Sequence, residues 1–143
     1  MIRNMPIALQ LYSVRDDLAA DFEGTLRKVK ELGYEGVEFA GLCGLEAQDI
    51  RAMLDKLGLV GISAHVPIAD LLADIPKVVG DYKTIGCQYI AIPWLDENRR
   101  PGHPGYAQTL ADIRAIAEEC ARQGLQLLYH NHDFEFVLVD GVY

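Results

Sequence analysis

At 143 residues, 50% of them hydrophobic and 24% charged, the chain has the balance of a folded globular domain and too much apolar content for disorder. Its formal net charge of −8 argues against a nucleic-acid partner, because the densest basic cluster, Arg99-Arg100, sits among acidic residues. No stretch reaches the length of a membrane span, MIRNMPIALQ lacks the features of a secretory signal, and three scattered cysteines (Cys43, Cys87, Cys120) form neither a CxxC motif nor a disulfide framework. The expectation is one cytoplasmic domain over residues 1–143, with no membrane partner.

In chain order, IALQLYSV over residues 7–14 reads as an opening strand. Phe22, Leu26, Val29 and Leu32 then recur at helical spacing on one face, and Gly33 ends that helix ahead of the apolar run GVEFA. Ile50, Met53, Leu54 and Leu57 form a second stripe, closed by Gly58 before VGISAH. Pro76 suits the first turn of a helix running through Val79 and Tyr82 to Ile85, with Gly86 ahead of CQYIAIP. Leu110, Ile113, Ala117 and Cys120 make the last stripe, and Gly124 precedes LQLLYHN. A helix, a glycine and a short, largely apolar run recur four times, since glycine past a helix end takes the left-handed conformation without a Cβ penalty.

Five strands alternating with four helices predict an α/β fold with a parallel sheet, its strands buried on both faces. An open doubly wound sheet and a (β/α) barrel both fit that order. The open sheet calls for a glycine-rich phosphate loop after the first strand, whereas the chain has SVRDDLAADFEG there. A barrel builds its site at the C-terminal strand ends, and the polar residues of this chain gather there. Gln10 and Tyr12 lie at the first such end, Glu38 at the second and His65 at the third. Trp94 lies at the fourth, and Tyr129-His130-Asn131-His132-Asp133 at the fifth.

Each of these residues also has a structural reading. Glu38 could pair with a lysine, His65 could be a satisfied core histidine, and Trp94 could serve packing rather than sugar stacking. His103, in the loop RPGHPG, reads as exposed and idle. His130 and His132 are harder to dismiss, because alternate residues of a strand face one side and could reach one ligand. Gln10, Tyr12, Trp94 and His132 are accordingly expected to bind substrate.

Four segments, IALQLYSVRDD, ELGYEGVEFAG, ISAHVP and LLYHNHDFEF, resemble the sugar phosphate isomerase/epimerase family of the xylose isomerase-like TIM barrels. Relatives of that group include tagatose-type epimerases, inosose dehydratases and, more distantly, a DNA-repair endonuclease. The resemblance implies the N-terminal half of such a barrel, about five of its eight strands. It implies a divalent metal at the barrel mouth, with Glu38 and His65 as catalytic residues and His130 as a metal ligand. The family commonly has a glutamate at the position of His130. An imidazole there weakens a hard oxygen site for magnesium and favours manganese, cobalt, iron or zinc. Strands beyond those of this chain would carry the remaining ligands.

The implied chemistry is proton transfer at a carbon next to a carbonyl of a small sugar or polyol, as in an isomerase, epimerase or dehydratase. The implied partners are that substrate and, for the open sheet edges, a second copy or a complementary C-terminal half. The alternative is a catalytically inactive half-barrel serving as a binding or scaffold module.

Overall fold

The computed structural model describes residues 5–142. Five parallel strands form one sheet: β1 (Ala8–Gln10), β2 (Gly36–Ala40), β3 (Val60–His65), β4 (Tyr89–Ile92) and β5 (Gln126–Tyr129). Their spatial order is their sequence order, β1-β2-β3-β4-β5. A doubly wound sheet reverses direction at a switch point; here each strand lies beside its predecessor, as in a barrel wall. The connections carry α1 (Arg15–Ala20), α2 (Phe22–Glu31), α3 (Ala47–Leu57), α4 (Ile68–Ala73), α5 (Ile75–Ile85) and α6 (Tyr106–Gln123).

The long helices start and stop for local reasons. Asp21 accepts the Gly24 N–H at 3.0 Å and Asp74 accepts the Lys77 N–H at 3.1 Å, so α2 and α5 each begin on a capped amide. Pro76 occupies the first turn of α5, where a missing N–H costs nothing. Gly33, Gly58, Gly86 and Gly124 all have positive φ, as the glycine repeat requires. The core lies between the sheet and these helices. Val37, Phe39, Ala64, Ile90 and Ile92 of the strands meet Leu26, Ile50, Leu54, Val79, Ile85 and Ile116 of the helices.

Several sequence expectations shift. The opening strand covers only Ala8–Gln10, and Leu11–Val14 is a 3-10 turn. The Gln10 side chain accepts the Tyr12 N–H, which pulls the chain out of the extended form. Leu32 is 78% exposed, because α2 ends at Glu31 and the chain has turned toward Gly33. The buried stripe of α6 is Thr109, Ile116 and Cys120, with Ile113 beside it, while Leu110 is 48% exposed. Thr109 tolerates a core position because its hydroxyl donates to the Gly105 carbonyl at 3.0 Å. Two short helices, α1 and α4, escaped the sequence reading.

One irregularity decides the site. The β2–β3 register runs Val37↔Gly61 and then Glu38↔Ser63, so Ile62 is an extra residue on β3. A one-residue slip exchanges the faces of every later side chain. Past the bulge, Ala64 is turned into the helix-facing core, while Ser63 and His65 share the face of Glu38.

Candidate functional site

A cleft of about 520 Å³ opens at the C-terminal ends of the strands. Tyr12, His65, Asp70, Trp94, His130 and His132 line it, together with Ala40, Gly41, Pro67 and Pro93. The structure therefore gathers five of the seven sequence-predicted site residues around one space. Glu38 and Gln10 lie one step behind. Glu38 sits in the middle of β2, where its Oε1 faces His65 Nε2 at 3.3 Å and accepts Gln10 Nε2–H at 3.0 Å. Its Oε2 accepts the Ser63 hydroxyl.

His65 closes β3 and is partly buried. Desolvation pulls its imidazole below the ordinary range, Glu38 opposes that shift, and His130 and His132 add to it. The His65 and His130 rings meet edge to face at 4.9 Å between centroids, and those of His130 and His132 at 5.0 Å. Neither His130 nor His132 belongs to a strand, since β5 ends at Tyr129. The strand alternation that was expected to pair them does not apply. Their loop is instead held by other contacts.

His130 N–H donates to the Ile92 carbonyl at 3.0 Å, extending the β4 pairing by one bond. His132 N–H donates to Glu135 Oε2 at 2.6 Å, and the Tyr129 hydroxyl donates to Glu135 Oε1. Burial first, and then the bond to Glu135, push the Tyr129 phenol well above its usual range, so it remains a donor. For Glu135, desolvation opposes ionisation, but the bonds from Tyr129 and the His132 amide outweigh it and hold the carboxyl below its usual range.

The His132 ring stacks on Phe134 at 5.5 Å with an 8° interplanar angle. The Arg100 guanidinium lies 3.6 Å above the Phe134 centroid and 5.1 Å from that of Trp94. Arg100 Nε–H is anchored to the Leu95 carbonyl at 2.9 Å. His103 is half-buried and lies outside the cleft, in a separate, smaller depression that Arg100 also lines.

Sequence reasoning missed Ser63, Asp70 and Glu135. Ser63 stands two residues before His65, a spacing that could have marked it as a same-face neighbour. Asp70 reaches the cleft from α4, a helix too short to show a periodic signal. Glu135 acts through a bond to a backbone amide, which no spacing rule reveals.

Among the described residues, no group of three or more His, Cys, Asp or Glu is arranged to hold a metal ion. A protein metal site ordinarily needs at least three such ligands. His130 has two imidazoles and a backbone carbonyl around it and no carboxylate partner. The described residues do not fit a complete metal centre.

Neither a protein-family model nor a curated protein matches the chain. Solved structures do. A sugar phosphate isomerase/epimerase from Parabacteroides distasonis matches 97% of this chain with a TM-score of 0.77 at 20% identity. An AP endonuclease, family 2, from Brucella melitensis matches 87% with a TM-score of 0.69 at 18% identity. A xylose isomerase-like TIM barrel protein from Mycobacterium smegmatis, in complex with magnesium, matches 88% with a TM-score of 0.67 at 16% identity.

The chain covers 56%, 55% and 55% of those three chains, so it spans about half the length of the solved structures it matches. At these identities the likeness is one of fold. This chain has the fold of about half of a xylose isomerase-like TIM barrel, with five consecutive parallel strands of the wall and their helices. Among the described residues, no helix is long and apolar enough to cross a membrane.

Proposed function

We propose that this chain forms the substrate-facing half of a sugar or polyol isomerase/epimerase, in which the Glu38–His65 pair handles a proton at a carbon next to a carbonyl. One observation carries the reading: His65, backed by Glu38, opens with His130 and His132 into a single cleft at the C-terminal strand ends. An imidazole held below its ordinary range is unprotonated at neutral pH and so able to accept a proton. The negative charge that develops on the substrate oxygen would meet the imidazoles of His130 and His132, which can supply N–H donors. Trp94 offers a half-exposed ring face to a sugar, and Tyr12 lines the same cleft.

A metal bound at His130 would need donors from beyond the described residues, supplied by further strands on the same polypeptide or on a partner. The apolar side chains left exposed on the open sheet, Val60, Ile62 and Leu128, support such a complement, whether a second copy or a C-terminal half. The free cysteines are in keeping with a cytoplasmic setting.

The test is deuterium uptake in D2O at the carbon next to the carbonyl of ketose and inosose substrates, with divalent ions added and withheld. It is run on the chain and on any longer polypeptide that contains it. Exchange is expected, and His65→Ala should lower it at least about a hundredfold, the usual scale for loss of a general base. A complete absence of exchange and of binding would sink the proposal.

A second reading, an inactive half-barrel that binds or scaffolds, is favoured by the missing donor set. It predicts ligand binding that survives His65→Ala with no exchange in any variant. A third reading, a metal phosphodiesterase like the DNA-repair endonuclease named among the family's distant relatives, is disfavoured by the net charge of −8.

A further inference from the structure

We infer that Glu38 is a positioning residue and not the proton-transfer group: with Gln10 and Ser63 it fixes His65 as the Nε2–H tautomer, leaving Nδ1 as the proton acceptor. The inference deepens the proposed function and rests on its reading of the cleft as a proton-transfer site.

The Glu38 carboxylate is the centre of the arrangement. Three side chains from neighbouring strands converge on it: Gln10 from β1, and Ser63 and His65 from β3. Gln10 and Ser63 donate hydrogen bonds to it, and His65 Nε2 lies beside its Oε1. Gln10 is not free to turn over, because its Oε1 accepts the Tyr12 N–H and so commits its NH2 end to Glu38. Ser63 is not free either. The bulge at Ile62 sets it opposite Glu38 in the register, and its hydroxyl is buried.

Glu38 is therefore held from both sides, and it does not line the cleft, whereas His65 does. A group that must reach a substrate carbon cannot do so from behind the ring it supports. His65 Nε2 lies 3.3 Å from a carboxylate oxygen as an electrostatic contact and not as an aligned hydrogen bond; a bare lone pair there would be repelled by the carboxylate, so Nε2 carries the hydrogen. A neutral imidazole has only one such hydrogen, so the lone pair falls on Nδ1.

This assignment gives Gln10 and Ser63 their work. Gln10, expected to touch substrate, has both ends of its amide engaged within the protein. Ser63 belongs to the same brace. The bulge matters because, without the extra residue, neither Ser63 nor His65 would share the face of Glu38.

The test reads the tautomer directly. Long-range 15N–1H spectra of the 143-residue chain are recorded in mildly alkaline solution, with His65 assigned by its loss in His65→Gln. The Nε2–H form of His65 is expected to predominate. In Glu38→Ala the ratio should move toward the Nδ1–H form by roughly fivefold, the scale of one lost, partly exposed electrostatic contact. Ser63→Ala should move it the same way by less.

A predominant Nδ1–H form in the unsubstituted chain overturns the inference. So does an unchanged ratio in a Glu38→Ala chain whose circular dichroism shows it folded. If Glu38→Ala does not fold, the unsubstituted spectrum together with Ser63→Ala decides. None of these readouts needs turnover. An Nε2–H tautomer without deuterium exchange would count against the proposed function alone, and exchange with an Nδ1–H tautomer against this inference alone.

Discussion

Burial determines what the individual thiols can do. Desolvation, with a smaller contribution from Glu38, pushes the Cys87 thiol up to about 12, and desolvation followed by Glu119 pushes Cys120 to about 11. The thiolate is the reactive form, so both are inert at neutral pH, while Cys43 is exposed. Titration of the native chain with a disulfide reagent should find one fast thiol, and denaturant should release the other two. Three fast thiols without denaturant would mean that α6 and the strand after α5 open readily. The same scale governs Phe39, which is fully buried between β2 and the helices. Phe39→Ala should cost about 3–5 kcal/mol in urea unfolding, the sum of lost transfer energy and an unfilled cavity.

Among the elements, helix ends and the loop after β5 carry the sharpest expectations. Gly86 ends α5 at φ 104°, and a Cβ there would meet Arg51 Nη1 at 2.5 Å. Gly86→Ala should destabilise by about 1–2 kcal/mol, chiefly from the left-handed backbone, since the long Arg51 side chain can move aside. The loop from His130 onward is held by Phe134, Arg100 and Glu135 more than by sheet pairing. Phe134→Ala removes the surface on which both His132 and Arg100 rest. Amide hydrogen exchange should then speed up across residues 130–136 while the strands keep their protection, with a global cost near the 1 kcal/mol of an exposed cation–π pair. Unchanged exchange there would show that Glu135 alone holds the loop.

For the molecule as a whole, the titratable groups shifted by folding set a direction with pH. His65 is held low mainly by desolvation, Asp112 by the Arg99 hydrogen bond, Glu119 by Arg122, and Glu135 by its two donors against desolvation. Each binds protons more readily unfolded than folded, so each contributes stability at neutral pH that is lost on acidification. The His65 share fades first, below about pH 6.5. The carboxylate shares fade below the usual carboxylate range, with Glu119 extending down to about 2. On the alkaline side, Cys87, Cys120, Tyr82 and Tyr129 are held high chiefly by burial. Their contribution is complete at neutral pH and is lost as pH rises past the unfolded thiol value, about 8.5. Thermal melts across pH should give a broad maximum near neutrality with a fall on both sides. A midpoint that kept rising into acid would contradict these assignments.

Much of the fold was legible because it rests on local chemistry. The four helix-ending glycines, the Pro76 start and the apolar runs behind them need only backbone sterics and periodicity to be read. They specified the alternation of helix and strand, and the absence of a glycine-rich loop pointed to a barrel wall. The cleft residues were legible for a related reason, since polar side chains following apolar strands have few other places to go. In the α6 stripe Cys120 and Ile113 were read correctly, but Leu110 was taken for its neighbour Thr109, which hides its polarity in a bond to Gly105, a contact that spacing cannot display. What only the tertiary structure decided is the geometry between strands. The bulge at Ile62 turns Ser63 and His65 toward Glu38, and the Arg100–Phe134–His132 stack holds a loop that follows no strand alternation. Register and stacking depend on what neighbouring segments offer one another, and no segment carries that information alone.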